Sequence, residues 1–463
     1  MMEAAVDPKA RSFWLGSLRY ADSPPLEGAA TADYAVIGAG FSGLATAYFL
    51  RRAEPSARIV VLEAERVGAG ASGRCAGFVS TDFGLSFAAT ARTFGRARAR
   101  EAHHCMEQAV ELVERLVRHN RIECEYERVG LLRVATTHTY ERRVREEVET
   151  ARAAGLSGIE WLDAKAVRQQ VDSPLFLGAA WEARAGLVNP AKLALGLKEV
   201  LVRAGVLFFE QTPARRIERK LGRLFVRTPK GGVLAGKLAI TTNAYSQQFR
   251  GLSGKQVALY MHAIASEPLR PEQLEAVGWR RRQAVVDARN LARFYRLTGD
   301  GRLLIGGRNV SVPFGKGAGR ELSPRTFQGL EDDARVLFPA LKRLRFPHRW
   351  GGPISVPLQL VPAVGYLGSD RIVYSLGCMG HGLALAHLNG WTLCDLLRGE
   401  RTERTEAFFV NRRVVAWPPG PLKTVLALAV SSLMKAEDAW NERGLPDVPK
   451  PAHLRLLAGP AGR

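Results

Sequence analysis

Three glycines in the run Gly38-Ala39-Gly40-Phe41-Ser42-Gly43, and an acid, Glu63, about twenty positions beyond the last of them, have the types and spacing that hold linked phosphates and a ribose. Gly38 permits a tight turn, Gly40 lets the backbone approach a pyrophosphate, and Gly43 lets a helix pack closely on a strand. Glu63 would accept from a ribose hydroxyl, while N–H groups at a helix start attract the anion. These residues work only if the right elements deliver them. Tyr34 to Ile37 is a short apolar run, Leu44 to Arg52 has helical character, and Arg58 to Glu63 is rich in β-branched residues. The order is strand, glycine turn, helix, strand, so the spacing predicts a dinucleotide-binding unit; the alternative is an α/β unit with a plain turn. The glycines alone do not separate NAD from FAD.

The residues after Glu63 decide that question. Ala64 leads into Gly68 and then Gly70-Ala71-Ser72-Gly73-Arg74-Cys75-Ala76-Gly77-Phe78, a loop whose small side chains let backbone approach a flat ring. This stretch resembles the second flavin motif of the glycine oxidase, sarcosine oxidase and D-amino-acid oxidase family. Further along, Gly186 to Leu193 with Gly205 to Phe209, Ala239 to Ala244, Trp350-Gly351-Gly352-Pro353, and Gly377-Cys378-Met379-Gly380-His381-Gly382 resemble the family's other cofactor segments. Ser12 to Leu15, Asp287 to Asn290 and Phe294-Tyr295-Arg296 are most similar to its γ-glutamylputrescine oxidoreductase-like members. The resemblance implies an α/β protein, with a Rossmann-like FAD-binding domain and a second α+β substrate domain on a mixed or antiparallel sheet. It implies FAD contacts at Gly38, Gly40, Phe41, Ser42, Gly43, Glu63, Ala64, from Gly70 to Gly77, and at Ala214, Gly352, Gly377, Gly380, His381 and Gly382. It also implies oxidation of a C–N bond, with hydride passing to the flavin and an imine left for water to hydrolyse.

Departures from the family pattern shape further expectations. No cysteine stands between Trp350 and Pro357, where sarcosine oxidases attach the flavin, so FAD is expected to be non-covalent, with Cys75 and Cys378 keeping the question open. No lysine stands in Arg302 to Arg308, which leaves the electron acceptor as dioxygen or another molecule. No arginine lies between Gly377 and Gly382 or between Trp350 and Pro362, which argues for an amine or larger amino compound over a simple amino acid.

Three side chains are candidates for contact with substrate. His381 opens a helix, Leu383 to Leu397, and its surroundings can favour negative charge; a packed or capping histidine is the alternative. Tyr295 and Phe294 alternate on a strand, so one of them faces the pocket, and Tyr295 is the expected one. Arg308 is a candidate anion clamp at a strand end, a surface arginine being the alternative. Tyr260 and His262 share a strand face. The His103-His104 pair has no third ligand in view, so no metal is expected.

The domain division expected is an extension, 1–29; an FAD domain from 30–88, 186–248 and 349–400; a substrate domain from 89–185 and 249–348; and an appendage, 401–463. In the appendage, Trp417-Pro-Pro-Gly-Pro421 breaks the chain and Leu422 to Trp440 reads as an amphipathic helix, packed on the protein or lying on a membrane surface with Trp417, Lys423 and Lys435 near the headgroups. Lysine and arginine number 66 against 45 acids, a net +21, yet arginines are scattered singly and no nucleic-acid signature is present, so no nucleic acid is expected as a partner. A related oxidase domain serves tRNA modification, and a dehydrogenase of amino or hydroxy acids feeding a membrane or protein acceptor is a further alternative. Five cysteines without paired spacing suggest a reducing compartment. The first residues do not resemble a secretory signal, so a cytoplasmic location, with peripheral membrane contact through 415–440 left open, is the expectation.

Overall fold

The computed structural model describes residues 12–312 and 323–443. Among these, two eight-stranded sheets carry the fold. In the first, strands Ala363–Tyr366, Ile372–Leu376, Gly231–Ile240, Gly28–Ile37, Ile59–Leu62 and Leu207–Phe209 lie side by side, with Arg223–Thr228 and Arg216–Lys220 branching from Gly231–Ile240. Its central pairings are parallel, and parallel strands need cover on both faces. Val36, Ile59 and Val61 point to one face, where helices Phe41–Ala53, Arg96–His119, Pro190–Arg203 and Gly382–Arg398 bury them. Ala35, Ile37, Val60 and Leu62 point to the other, under Leu224 and Val226 of the antiparallel branch.

The second sheet runs His348–Val356, Val257–Pro268, Arg302–Ser311, Arg293–Leu297, Ala284–Asp287, Leu131–Ala135, Gly178–Glu182 and Ile159–Asp163. Only the pair Ala284–Asp287 with Leu131–Ala135 is parallel. Its outer face buries Leu132, Val134, Ile264, Tyr295 and Ile305 with Phe327, Leu330 and Ala334 of helix Pro324–Leu337. Its inner face turns toward the first sheet's loops.

Two domain boundaries differ from expectation. Strand His348–Val356, placed with the FAD segments by sequence, pairs over nine positions with Val257–Pro268 and belongs to the second sheet. Helix Arg96–His119, expected in the substrate domain, buries Met106, Ala109 and Val113 against Leu44 and Leu388 of the first, because its apolar stripe matches the helices there and not the second sheet.

The described part of the N-terminal segment, from Ser12 on, is fastened to the first domain. Glu210, wholly buried, accepts from Ser23 N at 2.6 Å and Val67 N at 2.6 Å, pairs with Lys198 Nζ at 2.7 Å, and takes the Tyr20 hydroxyl. These donors outweigh the cost of burial and hold its carboxyl below the usual range.

The C-terminal helix, Pro421–Glu442, docks on the second domain through acids. Asp438 accepts from Asn290 N at 2.8 Å, Leu291 N at 3.0 Å and the Tyr140 hydroxyl at 3.1 Å, and Glu442 pairs with Arg289 at 2.6 Å. The Asp287 to Asn290 stretch thus serves to seat this helix. Trp417 and Lys423, placed near headgroups only in the membrane-surface alternative, face inward: Trp417 is buried with Nε1 donating to the Val356 carbonyl at 3.0 Å, and Lys423 Nζ donates to the Ser253 carbonyl at 2.7 Å. A backbone acceptor in the turn at 253 and one at the strand end, Val356, claim both donors. The basic end expected after this helix lies outside the described residues. No helix among the described residues is long and apolar enough to cross a membrane.

Candidate active site

The first glycine turn is tight because a side chain does not fit it. A Cβ on Gly43 would lie 1.9 Å from the Gly38 carbonyl oxygen, and Gly38 sits at φ +99°, where side chains are strained. Helix Phe41–Ala53 starts from Gly40, which supplies no side-chain cap; Ser72 of the second loop reaches across, and its Oγ accepts from Phe41 N at 2.9 Å. Ser42 follows in the first turn. A helix start with so little of its own capping, lined by small residues of a second loop, suits a pyrophosphate. Glu63, half-buried at the end of the second strand, accepts from Ala39 N at 2.8 Å and Glu65 N at 3.0 Å. Burial raises its carboxyl to about 7 against those bonds. Ala64 is exposed beside it, and Ala214 is buried in the first domain's core, so Ala214 can offer a ligand only backbone.

The second loop is held by its carbonyls. Gly73 O takes the Ser12 hydroxyl at 2.6 Å, Arg74 O the Trp350 indole at 2.9 Å, Cys75 O the Trp14 indole at 2.9 Å, and Ala76 O the Arg296 guanidinium at 2.8 Å. Four successive carbonyls are fixed by donors from three other segments, each bond contributing about 1 kcal/mol net. Gly70 precedes the short turn Ala71–Gly73. Arg74 spans to the second sheet, donating to Gly351 O at 3.0 Å, and fits because Gly352 has no side chain: a Cβ there would meet Arg74 Cδ at 3.0 Å. Gly77, at φ +77°, gives way to Val188 O and Arg296 in the same manner. Arg296 is buried with carbonyl partners and the Trp14 ring, and desolvation lowers its guanidinium to about 10.

The third loop, Gly377 to Gly382, caps the same space. Gly377 and Gly380 hold positive φ, and Met261 Sδ would lie 3.1 Å from a Cβ on Gly380. His381 is exposed at the N-cap of helix Gly382–Arg398, its side chain making no cap bond, while its N–H donates to Cys378 O at 2.8 Å.

Facing these loops is the second sheet's inner face, and here two of the candidates are corrected. Alternation sends Phe294 inward, where its ring meets Phe78 edge-on at 6.0 Å and lies over Gly306. Tyr295 goes outward, 2% exposed in the core with Ile264 and Phe327, so it is a packing residue. Arg308 also turns outward: its NH1 pairs with Asp333 at 2.5 Å and donates to Gly329 O at 3.2 Å, so its charge is engaged by helix Pro324–Leu337. His262 is buried edge-on to Phe327 at 5.4 Å, on that same outer side.

The residues missed by sequence reasoning are Met261, whose register partner is Gly352, and a charged group beyond Phe78. Arg133, flanked by outward Leu132 and Val134, reaches Asp82 at 2.7 Å, and Glu182 accepts from Thr81 N at 3.3 Å. Burial opposes ionisation of Asp82, but Arg133 and His381 outweigh it and keep its carboxyl low. Burial, aided by Asp82, lifts Glu182 to about 7. Strand alternation was the available signal for Met261 and Arg133; nothing in the sequence paired Arg133 with Asp82. A cavity of about 80 Å³ borders this group. A groove of about 1230 Å³ between Phe13, Lys192 and Lys342 to Arg349 includes none of the glycine-loop residues, so size alone does not locate the site. Among the described residues no cluster fit for a metal is found.

The arrangement can hold a long dinucleotide along the first sheet's loops and a flat ring against an apolar inner face. Comparisons agree with that geometry. The γ-glutamylputrescine oxidoreductase of Escherichia coli is 31% identical over 396 residues, covering 84% of this chain and 89% of the relative. A probable oxidoreductase, OrdL, of Haemophilus influenzae is 28% identical over 419 residues, covering 88% and 92%. The crystal structure of glycine oxidase from Geobacillus kaustophilus superposes with a TM-score of 0.71 at 20% identity, covering 83% of this chain and all of that one. The family model for FAD dependent oxidoreductases of the DAO type matches residues 33–396, and with the glycine turns, Glu63 and the second loop in place, the chain belongs to that family of FAD-dependent oxidoreductases.

Proposed function

We propose that this chain oxidises the C–N bond of an amine or amino compound. The observation that carries the reading is the opposition of two surfaces: the pinned loop Gly70 to Gly77 on one side, and the inner face of Met261, Phe294 and Gly306 on the other. The relatives support it by name, since one is named for γ-glutamylputrescine and solved neighbours are a glycine oxidase and an L-amino acid deaminase. FAD, when bound, supplies the two-electron acceptor.

The chain's residues then have separate tasks. Gly38 to Gly43 and Glu63 receive the dinucleotide end. Phe78, Phe294 and Met261 exclude water from the reacting carbon and orient it, which matters because the amine must be neutral for its lone pair to assist as hydride leaves. The neutral amine loses a hydride from carbon, the resulting iminium gives its nitrogen proton to water, and water then converts the imine to a carbonyl and an amine. No dedicated base is needed if the amine binds neutral. His381, within electrostatic reach of Asp82, is the polar group at the pocket edge.

FAD is held without a covalent bond in this reading. Burial pushes the Cys75 thiol up to about 11, and Cys378 Sγ accepts from Asn243 Nδ2 at 3.0 Å. The electron acceptor is dioxygen or a carrier held at a membrane, and a surface contact through residues 415–440 would serve the second.

The test is an anaerobic visible spectrum followed by amines and amino acids added one at a time. A yellow protein bleached by one compound is expected, and readmitting air separates oxidase from dehydrogenase. A colourless protein that refuses FAD, or a flavin that no amino compound reduces, overturns the reading.

A further inference from the structure

The C-terminal helix Pro421–Glu442 turns acids inward along its second half and leaves several large apolar residues exposed. An ordinary surface helix buries its leucines and exposes its acids. This one buries Ala427, Val430 and Ser431 in its first half but Glu437, Asp438 and Asn441 in its second, while Leu422 is 61%, Val425 60%, Leu428 38% and Trp440 45% exposed. At 100° per residue the exposed residues Leu422, Val425, Leu428, Ala429, Ala436 and Trp440 fall on one arc of about 120°, which also holds exposed Ser432 and Ala439. Arg443, just past the helix end, falls within that arc, and Lys435 lies about 20° beyond its edge. No acid shares the arc: Glu437 and Asp438 are buried, and Glu442 is drawn aside to Arg289 at 2.6 Å. The lead-in to the helix adds exposed Arg413 and Val415.

We infer that this helix is the face by which the protein lies on an anionic lipid surface, its arc sunk at the headgroup and acyl boundary. The inward acids fix the helix parallel to the protein surface, as shallow insertion along its whole length of about 33 Å requires. Charge selects the occupant. Lysine and arginine exceed acids by 21 over the chain, and the sequence beyond the helix, 444–463, carries Lys450, Arg455 and Arg463 against Asp447. A cationic protein presenting an acid-free apolar arc is drawn to an anionic bilayer, whereas two copies meeting through this face would bring like charges together. The docking does not depend on which compound is oxidised.

The test uses the full chain with FAD bound, floated with vesicles of phosphatidylcholine alone or of equal parts phosphatidylcholine and phosphatidylglycerol. Flotation with the anionic vesicles is expected, and the triple variant Leu422→Ser, Val425→Ser, Leu428→Ser should weaken it about tenfold or more while keeping the flavin spectrum and melting temperature. Lys435→Glu should weaken it less. Wild-type protein that stays unbound overturns the inference, as does a triple variant that floats equally well, since basic charge elsewhere would then suffice. Light scattering without lipid supplies the remaining arm: a dimer that the triple variant converts to monomer makes a second copy the occupant, and overturns it too.

Discussion

The loops on the first sheet and the inner face of the second sheet meet at the same place but are specified differently. In the loops, function is carried by backbone. Gly43 must be glycine because Gly38 O would stand 1.9 Å from its Cβ, and Gly38 must turn through φ +99°. On the inner face, function is carried by side chains whose direction depends on strand phase. Phe294 and Tyr295 are neighbours in sequence with opposite fates. A backbone site therefore tolerates almost no change at its fixed points, whereas a side-chain site should respond in proportion to what is removed.

The largest effect should come from Gly43→Ala. The added methyl meets the Gly38 carbonyl oxygen at 1.9 Å and the Thr241 side-chain Oγ1 at 2.7 Å, so helix and strand must separate or the turn must open. The variant is expected to purify without FAD and to fail to take it up when titrated, with the near-ultraviolet circular dichroism of the apoprotein little changed. A yellow variant with ordinary affinity would show that the turn can relax, and the contrast between the regions would weaken.

A second effect tests the ground beneath the loops. His387 of helix Gly382–Arg398 is wholly buried, its ring centroid 5.0 Å from that of Phe41, with Nδ1 donating to the Leu383 carbonyl at 2.7 Å. Its Nε2 has no hydrogen-bond partner among the described residues. Burial thus drives its imidazolium down to about 4 from an ordinary 6.5. The unfolded chain binds the extra proton between those values, so the stability is present above pH 6.5 and lost as pH falls toward 4, by up to about 3 kcal/mol. Melting temperatures should fall more steeply over that window in the wild type than in His387→Leu. Parallel profiles would mean that the histidine does not titrate with folding.

Legibility follows the same division. The strand, turn and helix around Gly38 to Gly43 were readable because each glycine answers a local constraint. Helix Pro421–Glu442 was readable in extent, but its orientation was not, since only Arg289, Asn290 and Tyr140 show why its acids turn inward. Tyr295 was taken for the inward member of its pair because phase is invisible until the register with Gly306 and Ile305 is known. Arg308 was an anion-clamp candidate because its partner, Asp333, lies 25 positions away on a helix that the strand's sequence does not announce. Ser12 and Trp14 lie 61 residues from the carbonyls they hold, a distance no local pattern spans.

The inner face supplies the intermediate effect. Phe294→Ala removes the ring that lies over Gly306 and meets Phe78, opening the pocket wall without touching the dinucleotide turn. FAD should be retained, and kcat/KM for the best amine should fall about tenfold, near 1.4 kcal/mol of transition-state stabilisation. Loss of FAD instead would mean that Phe294 supports the cofactor and not the substrate.

The smallest effects belong to the two residues that turned outward, and they discriminate most sharply between regions. Tyr295→Phe keeps the ring in its cluster and removes only a hydroxyl. Arg308→Gln removes one partner of Asp333, which retains Arg293 at 2.6 Å. If the outer face only supports the sheet, both variants should keep kcat/KM within about twofold of wild type, with any cost appearing as up to about 1 kcal/mol of stability for a partly exposed ion pair. The pair Phe294→Ala and Tyr295→Phe then reads the strand phase directly in solution: kinetics moved by the first and not the second place the inward face where Gly306 and Phe78 put it. A large kinetic loss in Tyr295→Phe, with stability unchanged, would reverse the phase and return the tyrosine to the pocket.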